Sequence, residues 1–113
     1  MSRLAWLALS LCLALPLFAS TPAPPAVDRQ RELRNLLIQD CGSCHGLRLR
    51  GGLGPALLAE QLRGKSADYI STVILQGRPG SAMPGWSPLL TDAEARWIAE
   101  LLLQGQALAE SGS

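Results

Sequence analysis

The sequence predicts an all-α domain of three long helices and one short helix. Apolar residues recur at helical spacing in three separate stretches. Capping residues and glycines stand where helices begin and end. No run alternates apolar and polar residues for long enough to make a strand; Leu47–Arg48–Leu49–Arg50 does so over four residues and then meets Gly51–Gly52, which reads as a loop.

The chain has 113 residues, so one domain is expected. Its first part reads as an export signal at 1–19. Met1–Ser2–Arg3 is a short positive start, Leu4 to Phe18 is almost wholly apolar, and small residues and prolines follow. The apolar run of 15 residues is interrupted by Pro16 and falls short of the roughly 18 needed to span a membrane. A retained N-terminal anchor helix is the alternative. Cys12 follows Leu11 and does not suit a lipoprotein site. Residues 20–27 read as a flexible leader, 28–105 as the folded domain and 106–113 as a frayed tail. Without Arg3, acidic and basic side chains balance at nine each, which lacks the basic footprint of a nucleic-acid binder and predicts modest salt dependence for any docking. A domain this small often leans on a staple or cofactor.

The first helix is placed over Asp28 to Gln39, DRQRELRNLLIQ, with Asp28 as cap and Leu33, Leu36 and Leu37 on its apolar face. The short helix is placed over Pro55 to Leu62, with Pro55 at its first position and Gly64 after it. Ser66 to Gln76 follows, capped by Ser66 and ended by Gly77, with Tyr69, Ile70, Val73 and Ile74 on its apolar face. Arg78 to Pro88 holds three prolines and two glycines and reads as a loop. The last helix starts at a capping box, Thr91–Asp92–Ala93–Glu94, presents Ala95, Ile98, Leu101 and Leu102, and closes at Gly105.

The chemistry is carried by Cys41–Gly42–Ser43–Cys44–His45, CGSCH. A redox dithiol wants its first thiol at a helix start in a βαβ context, and no strand pattern is present. A structural zinc site wants four ligands, and no second cysteine or histidine pair exists. Cys-x-x-Cys-His is the attachment motif of c-type haem: each thiol adds to one vinyl group and the next histidine reaches the iron. His45 is the chain's single histidine, so the opposite iron face is left to Met83, Lys65, a chain terminus, water or nothing. Met83 is favoured, because it is the one methionine after the signal and sits beside Pro84 in the irregular loop.

Together, CGSCH, Gly54–Pro55–Ala56–Leu57, Met83–Pro84 and a final helix with Trp97–Ile98 resemble class I cytochromes c over roughly Asp28 to Gln104. GGLGPAL and LQGRPGSAMPGWSPLLTDAEARWIAELL are similar, more narrowly, to the cytochrome c55X family, which is encoded beside cd1-type nitrite reductases. The resemblance implies a class I cytochrome c fold wrapped around one covalent haem and its iron. It implies thioether bonds from Cys41 and Cys44, His45 and Met83 as axial ligands, and the Pro55 carbonyl on the other nitrogen of His45. Arg78, Trp86 and Arg48 are options for holding the propionates. Leu33, Leu36 and Leu37 would meet Trp97, Ile98 and Leu101 where the first and last helices cross. With both axial positions filled, the expected function is one-electron transfer in the periplasm by a monomer. The partner would be a cd1-type nitrite reductase or a haem d1 maturation enzyme. The alternatives are a five-coordinate haem protein binding gas or peroxide, with Gly80 and Gly85 as hinges that free Met83, and a structural subunit in which haem is a folding staple.

Overall fold

A computed structural model describes residues 14–109. Arg3, Cys12 and the first part of the expected export signal lie outside the described residues, as do 110–113. Residues 14–26 carry no regular element. Four helices follow and no strand is present among the described residues: α1 (Val27–Leu36), α2 (Gly42–His45), α3 (Ala67–Gln76) and α4 (Asp92–Leu103).

α1 begins one residue before Asp28. Ala26 is the residue ahead of its first turn and offers no side-chain cap, so Asp28 is not the cap. Its carboxylate lies inside the first turn, where it suits the positive end of the helix and pairs with Arg31. The expected end at Gln39 is also displaced. Leu37–Cys41 continues as one turn of π-helix, whose wider bonding brings the Gly42 N–H onto the Leu37 carbonyl. α2 follows directly, so the chain is helical from Val27 through His45 and carries CGSCH on its last turns.

The short helix expected over Pro55–Leu62 does not form. Pro55 to Leu58 have no regular structure, and residues 59–64 make turns closed by bonds such as Lys65 N–H to Leu62 O at 3.0 Å. The Pro55 carbonyl is used by His45 rather than by a following turn. α3 is as read: the Ser66 hydroxyl accepts from the Tyr69 N–H at 3.0 Å, and Gly77 at φ 66° ends it. Ile70 and Ile74 are buried, but Tyr69 is not on the buried face and is 45% exposed. In α4 the Thr91 hydroxyl accepts from the Glu94 N–H. The Glu94 carboxylate takes two bonds from Arg29, which ties α4 to α1.

The core gathers Leu33 and Leu37 from the first helical run, Ile70 and Ile74 from α3, and Ala95, Ile98, Ala99 and Leu102 from α4. Leu49 and Leu62 from the loops join it, and Leu36 and Trp97 pack at its edge. Arg34 lies 5.6 Å from the centre of the Trp97 ring and donates to the carbonyls of Gln106 and Ala109. These bonds, with Ala107 buried, hold residues 106–109 against α1 instead of leaving them frayed.

Candidate haem-attachment site

Cys41 ends the π turn, and Cys44 and His45 lie on α2. Three residues apart on helical backbone, the two sulfurs share one side of the chain. Both thiols are free and half-buried. Burial, then the neighbouring Asp40 carboxylate, push the Cys41 thiol up to about 11. A thiol that stays protonated at neutral pH is a poor partner in disulfide exchange, which weighs against the dithiol reading.

The segment after His45 wraps back over the end of α2 and satisfies its free carbonyls. Gly54 N–H donates to Cys44 O at 2.8 Å and Gly51 N–H to His45 O at 2.7 Å. Gly46, at φ 91°, makes the turn possible. His45 Nδ1 then lies 2.7 Å from Pro55 O. A carbonyl can only accept, so Nδ1 carries the proton and Nε2 is left with its lone pair for a metal. Gly54 lies flat on the imidazole: a Cβ there would sit 2.8 Å from Cε1 and 2.9 Å from Nδ1. Leu49 holds the loop down, buried in the core despite φ 57°, with its N–H on Gly46 O and its carbonyl on Leu57 N–H.

Met83 stands on a second loop, which folds back along the end of α3. Trp86 N–H donates to Ile74 O at 3.0 Å, Ser87 N–H to Leu75 O at 3.2 Å and Arg78 N–H to Met83 O at 3.1 Å. The two backbones meet at glycines. A Cβ on Gly77 would lie 2.5 Å from Pro84 C, and one on Gly85 would lie 2.7 Å from Leu75 O. Gly85 is therefore a clamp and not a hinge; Gly80, at φ 79° with open space around it, keeps its freedom. The Ser81 hydroxyl donates to Arg78 O and accepts from the Met83 N–H, which fixes the turn before Met83. The Arg78 guanidinium donates to the Tyr69 hydroxyl at 3.0 Å, and Trp86 packs on the core.

The structure thus brings Cys44, His45, Gly54 and Pro55 together, and sets Met83, Arg78 and Gly85 together on the end of α3. The sequence shows Gly77 as the end of α3, but not the close backbone contacts that Gly54, Gly77 and Gly85 make; for Gly54 and Gly85 a neighbouring proline is the one trace. A cleft of about 420 Å³ beside Trp97, walled by Thr21–Pro24, holds none of these residues.

The donor set suits haem c. Two uncommitted thiols lie one helical turn apart, and the next residue is an imidazole with Nδ1 engaged and Nε2 open. Cys41 and Cys44 would hold the ring, His45 would take the iron, and Met83 is the thioether available for the opposite face.

A family model described as cytochrome c oxidase, cbb3-type, subunit III, matches residues 28–102. The match, with CGSCH on the helix end, makes this chain a c-type cytochrome, a class that holds haem c and its iron covalently. Cytochrome c55X of Pseudomonas aeruginosa is 50% identical over 93% of this chain and 88% of its own length. The solved c-type cytochrome NirC is 52% identical, with a TM-score of 0.72 over 74% of this chain and 98% of that one. The chain belongs to the cytochrome c55X family. It is also similar to one segment of a larger enzyme, dihydro-heme d1 dehydrogenase NirN, at 39% identity and a TM-score of 0.58, covering 63% of this chain and 15% of that one.

Proposed function

We propose that this chain is an exported, periplasmic monohaem cytochrome that carries single electrons in denitrification. It would donate to a cd1-type nitrite reductase or to an enzyme of haem d1 maturation, and would not itself be an enzyme. The observation that carries the reading is the His45 ring, fixed by the Pro55 carbonyl at the end of the helix that bears Cys41 and Cys44. When bound, haem c supplies a one-electron ferrous–ferric couple. The chain's part is positioning. Pro55 fixes the tautomer of His45 and makes it a stronger ligand. Gly77 and Gly85 hold the Met83 loop against α3, and the Met83 thioether, as the second ligand to bound haem, would raise the potential. That clamp argues for a filled sixth position over the five-coordinate, gas- or peroxide-binding alternative.

The likeness to a segment of dihydro-heme d1 dehydrogenase supports a haem d1 setting, and the cytochrome c55X family supports the link to nitrite reduction. No helix among the described residues is long and apolar enough to cross a membrane. The apolar run ahead of the domain supports export instead.

The test is visible absorption of the matured protein against Met83→Ala. A covalent c-type spectrum with the weak ferric methionine-to-iron band, lost in Met83→Ala, is expected. High-spin haem that binds carbon monoxide in the unmutated protein would select the five-coordinate alternative. A deletion strain whose reductase is fully loaded with haem d1, yet reduces nitrite slowly, selects direct donation over maturation.

A further inference from the structure

Leu49 is the only residue other than glycine whose φ is positive among the described residues, at 57°. The left-handed region crowds a leucine against its own backbone, and such outliers persist only where the surroundings impose them. Here the surroundings are the core. Leu49 is 1% exposed and belongs to the buried cluster that includes Leu33, Leu37 and Ile98. No other residue between Gly46 and Leu58 is buried; Leu47 and Leu53, on either side, are exposed. Four of the residues from Gly46 to Gly54 are glycines, so the loop has little stiffness of its own. Leu49 is its one anchor in the core.

Main-chain bonds join that anchor to the haem-attachment site on both sides. The Leu49 N–H donates to Gly46 O at 2.8 Å, one residue after His45. Leu49 O accepts from the Leu57 N–H at 2.9 Å, two residues after Pro55. Between these bonds the loop lies on the end of α2: Gly51 N–H donates to His45 O, Gly54 N–H donates to Cys44 O, and a Cβ on Gly52 would lie 2.8 Å from Cys44 O. Pro55 has no N–H with which to fix itself, and its carbonyl is committed to His45 Nδ1 at 2.7 Å. The place of that carbonyl is therefore set by its neighbours: Gly54, bonded to Cys44, and Leu57, bonded to Leu49. With φ at 57°, one residue sends its side chain into the core and still offers its carbonyl to Leu57.

We infer, building on the electron-carrier reading, that Leu49 is a positioning residue for His45: its anchorage in the core holds the Pro55 carbonyl on Nδ1 and thereby sets the potential of bound haem. A carbonyl held on Nδ1–H makes the imidazole a stronger donor, which favours ferric over ferrous iron and lowers the potential. A loop freed from the core opens that bond more often, so the potential rises and the ring proton exchanges faster.

The matured holoprotein is compared with Leu49→Ala, Leu49→Gly and Leu49→Met. Voltammetry gives the potential, and nuclear magnetic resonance of the reduced form gives the exchange rate of the His45 ring N–H. Leu49→Gly removes the anchor and relieves the backbone strain, so it reports even where Leu49→Ala does not fold. Each of these two should raise the potential by about 30 mV, which is about a threefold loss of preference for ferric iron at about 59 mV per tenfold. Ring-proton exchange should quicken on the order of tenfold in both. Leu49→Met keeps an apolar side chain of similar volume and should keep both values of the unmutated protein. Leu102→Ala truncates the same core on α4 and should lower the melting temperature without moving the potential. A potential unchanged in Leu49→Ala and Leu49→Gly, or moved as far by Leu102→Ala, overturns the inference and leaves Leu49 as core packing alone. A ferrous–ferric wave absent from the unmutated protein overturns the haem reading and the inference together, so the two failures are distinct.

Discussion

Position 54 shows how one missing side chain can set a metal ligand. Gly54 is the face on which the His45 ring rests, and Pro55 next to it supplies the acceptor for Nδ1. Gly54→Ala places a methyl group inside the ring's van der Waals shell, so the ring or the loop must move. The expected cost is about 1–3 kcal/mol, read as a lower melting temperature, together with a shifted haem spectrum. An unchanged spectrum would contradict the contact. Tyr69 offers a second check, since it is the chain's single tyrosine. The hydrogen bond from Arg78, then its charge and that of Lys65, hold the phenol below its ordinary value. The folded chain therefore releases this proton at lower pH than the unfolded chain does. Through that window the unfolded state binds more protons, so stability rises with pH. Ultraviolet titration should show a lowered midpoint that moves back up in Arg78→Met.

At the scale of elements, the parts with local signals were legible. Ser66 and Thr91 each cap a helix through a hydroxyl in their own sequence neighbourhood, and Gly77 ends α3 by its own conformation. The missed features depend on residues distant in sequence. Pro55 has the chemistry to start a helix, but its carbonyl serves an imidazole ten residues earlier. Tyr69 fits the apolar stripe of α3, yet its hydroxyl is met by Arg78 and its ring by Lys65, and it stays outside. The Glu94 of the capping box bonds Arg29 on another helix. The Met83 loop illustrates the same dependence. Gly77→Ala combines a strained backbone, at φ 66°, with overlap at Pro84, and should release Met83: the ferric methionine band is lost and carbon monoxide binds. Gly80→Ala meets no neighbour and should cost only about 1 kcal/mol for its backbone conformation, with the band retained.

At the scale of the whole molecule, α4 carries the core, packed chiefly against α3 and also meeting α1. Leu33 and Ile98 are almost wholly buried in that core, and both were readable from helical spacing. Ile98→Ala should cost about 2–5 kcal/mol, a large share of the roughly 5–15 kcal/mol available to a small domain. Denaturant titration of the holoprotein measures it; a loss under about 1 kcal/mol would mean that Ile98 is not part of the tightly packed core. The proposed export predicts a mature chain that starts after Ala19, and the mass of the purified protein checks it. What no periodicity could reveal is the π turn at Leu37–Cys41, because it arises where one helical run must serve two masters: Leu33 and Leu37 facing the core, and CGSCH facing the site. A π turn is an α-helix with one residue inserted. Deleting a single residue from it would restore an even spiral and swing everything beyond it by about 100° around the helix axis. Such a chain would keep its motif, its caps and its composition, and would aim both sulfurs and the imidazole at the wrong neighbours. Spelling and direction are separate inheritances in this molecule, and the second hangs on the count of residues between Leu37 and Cys41.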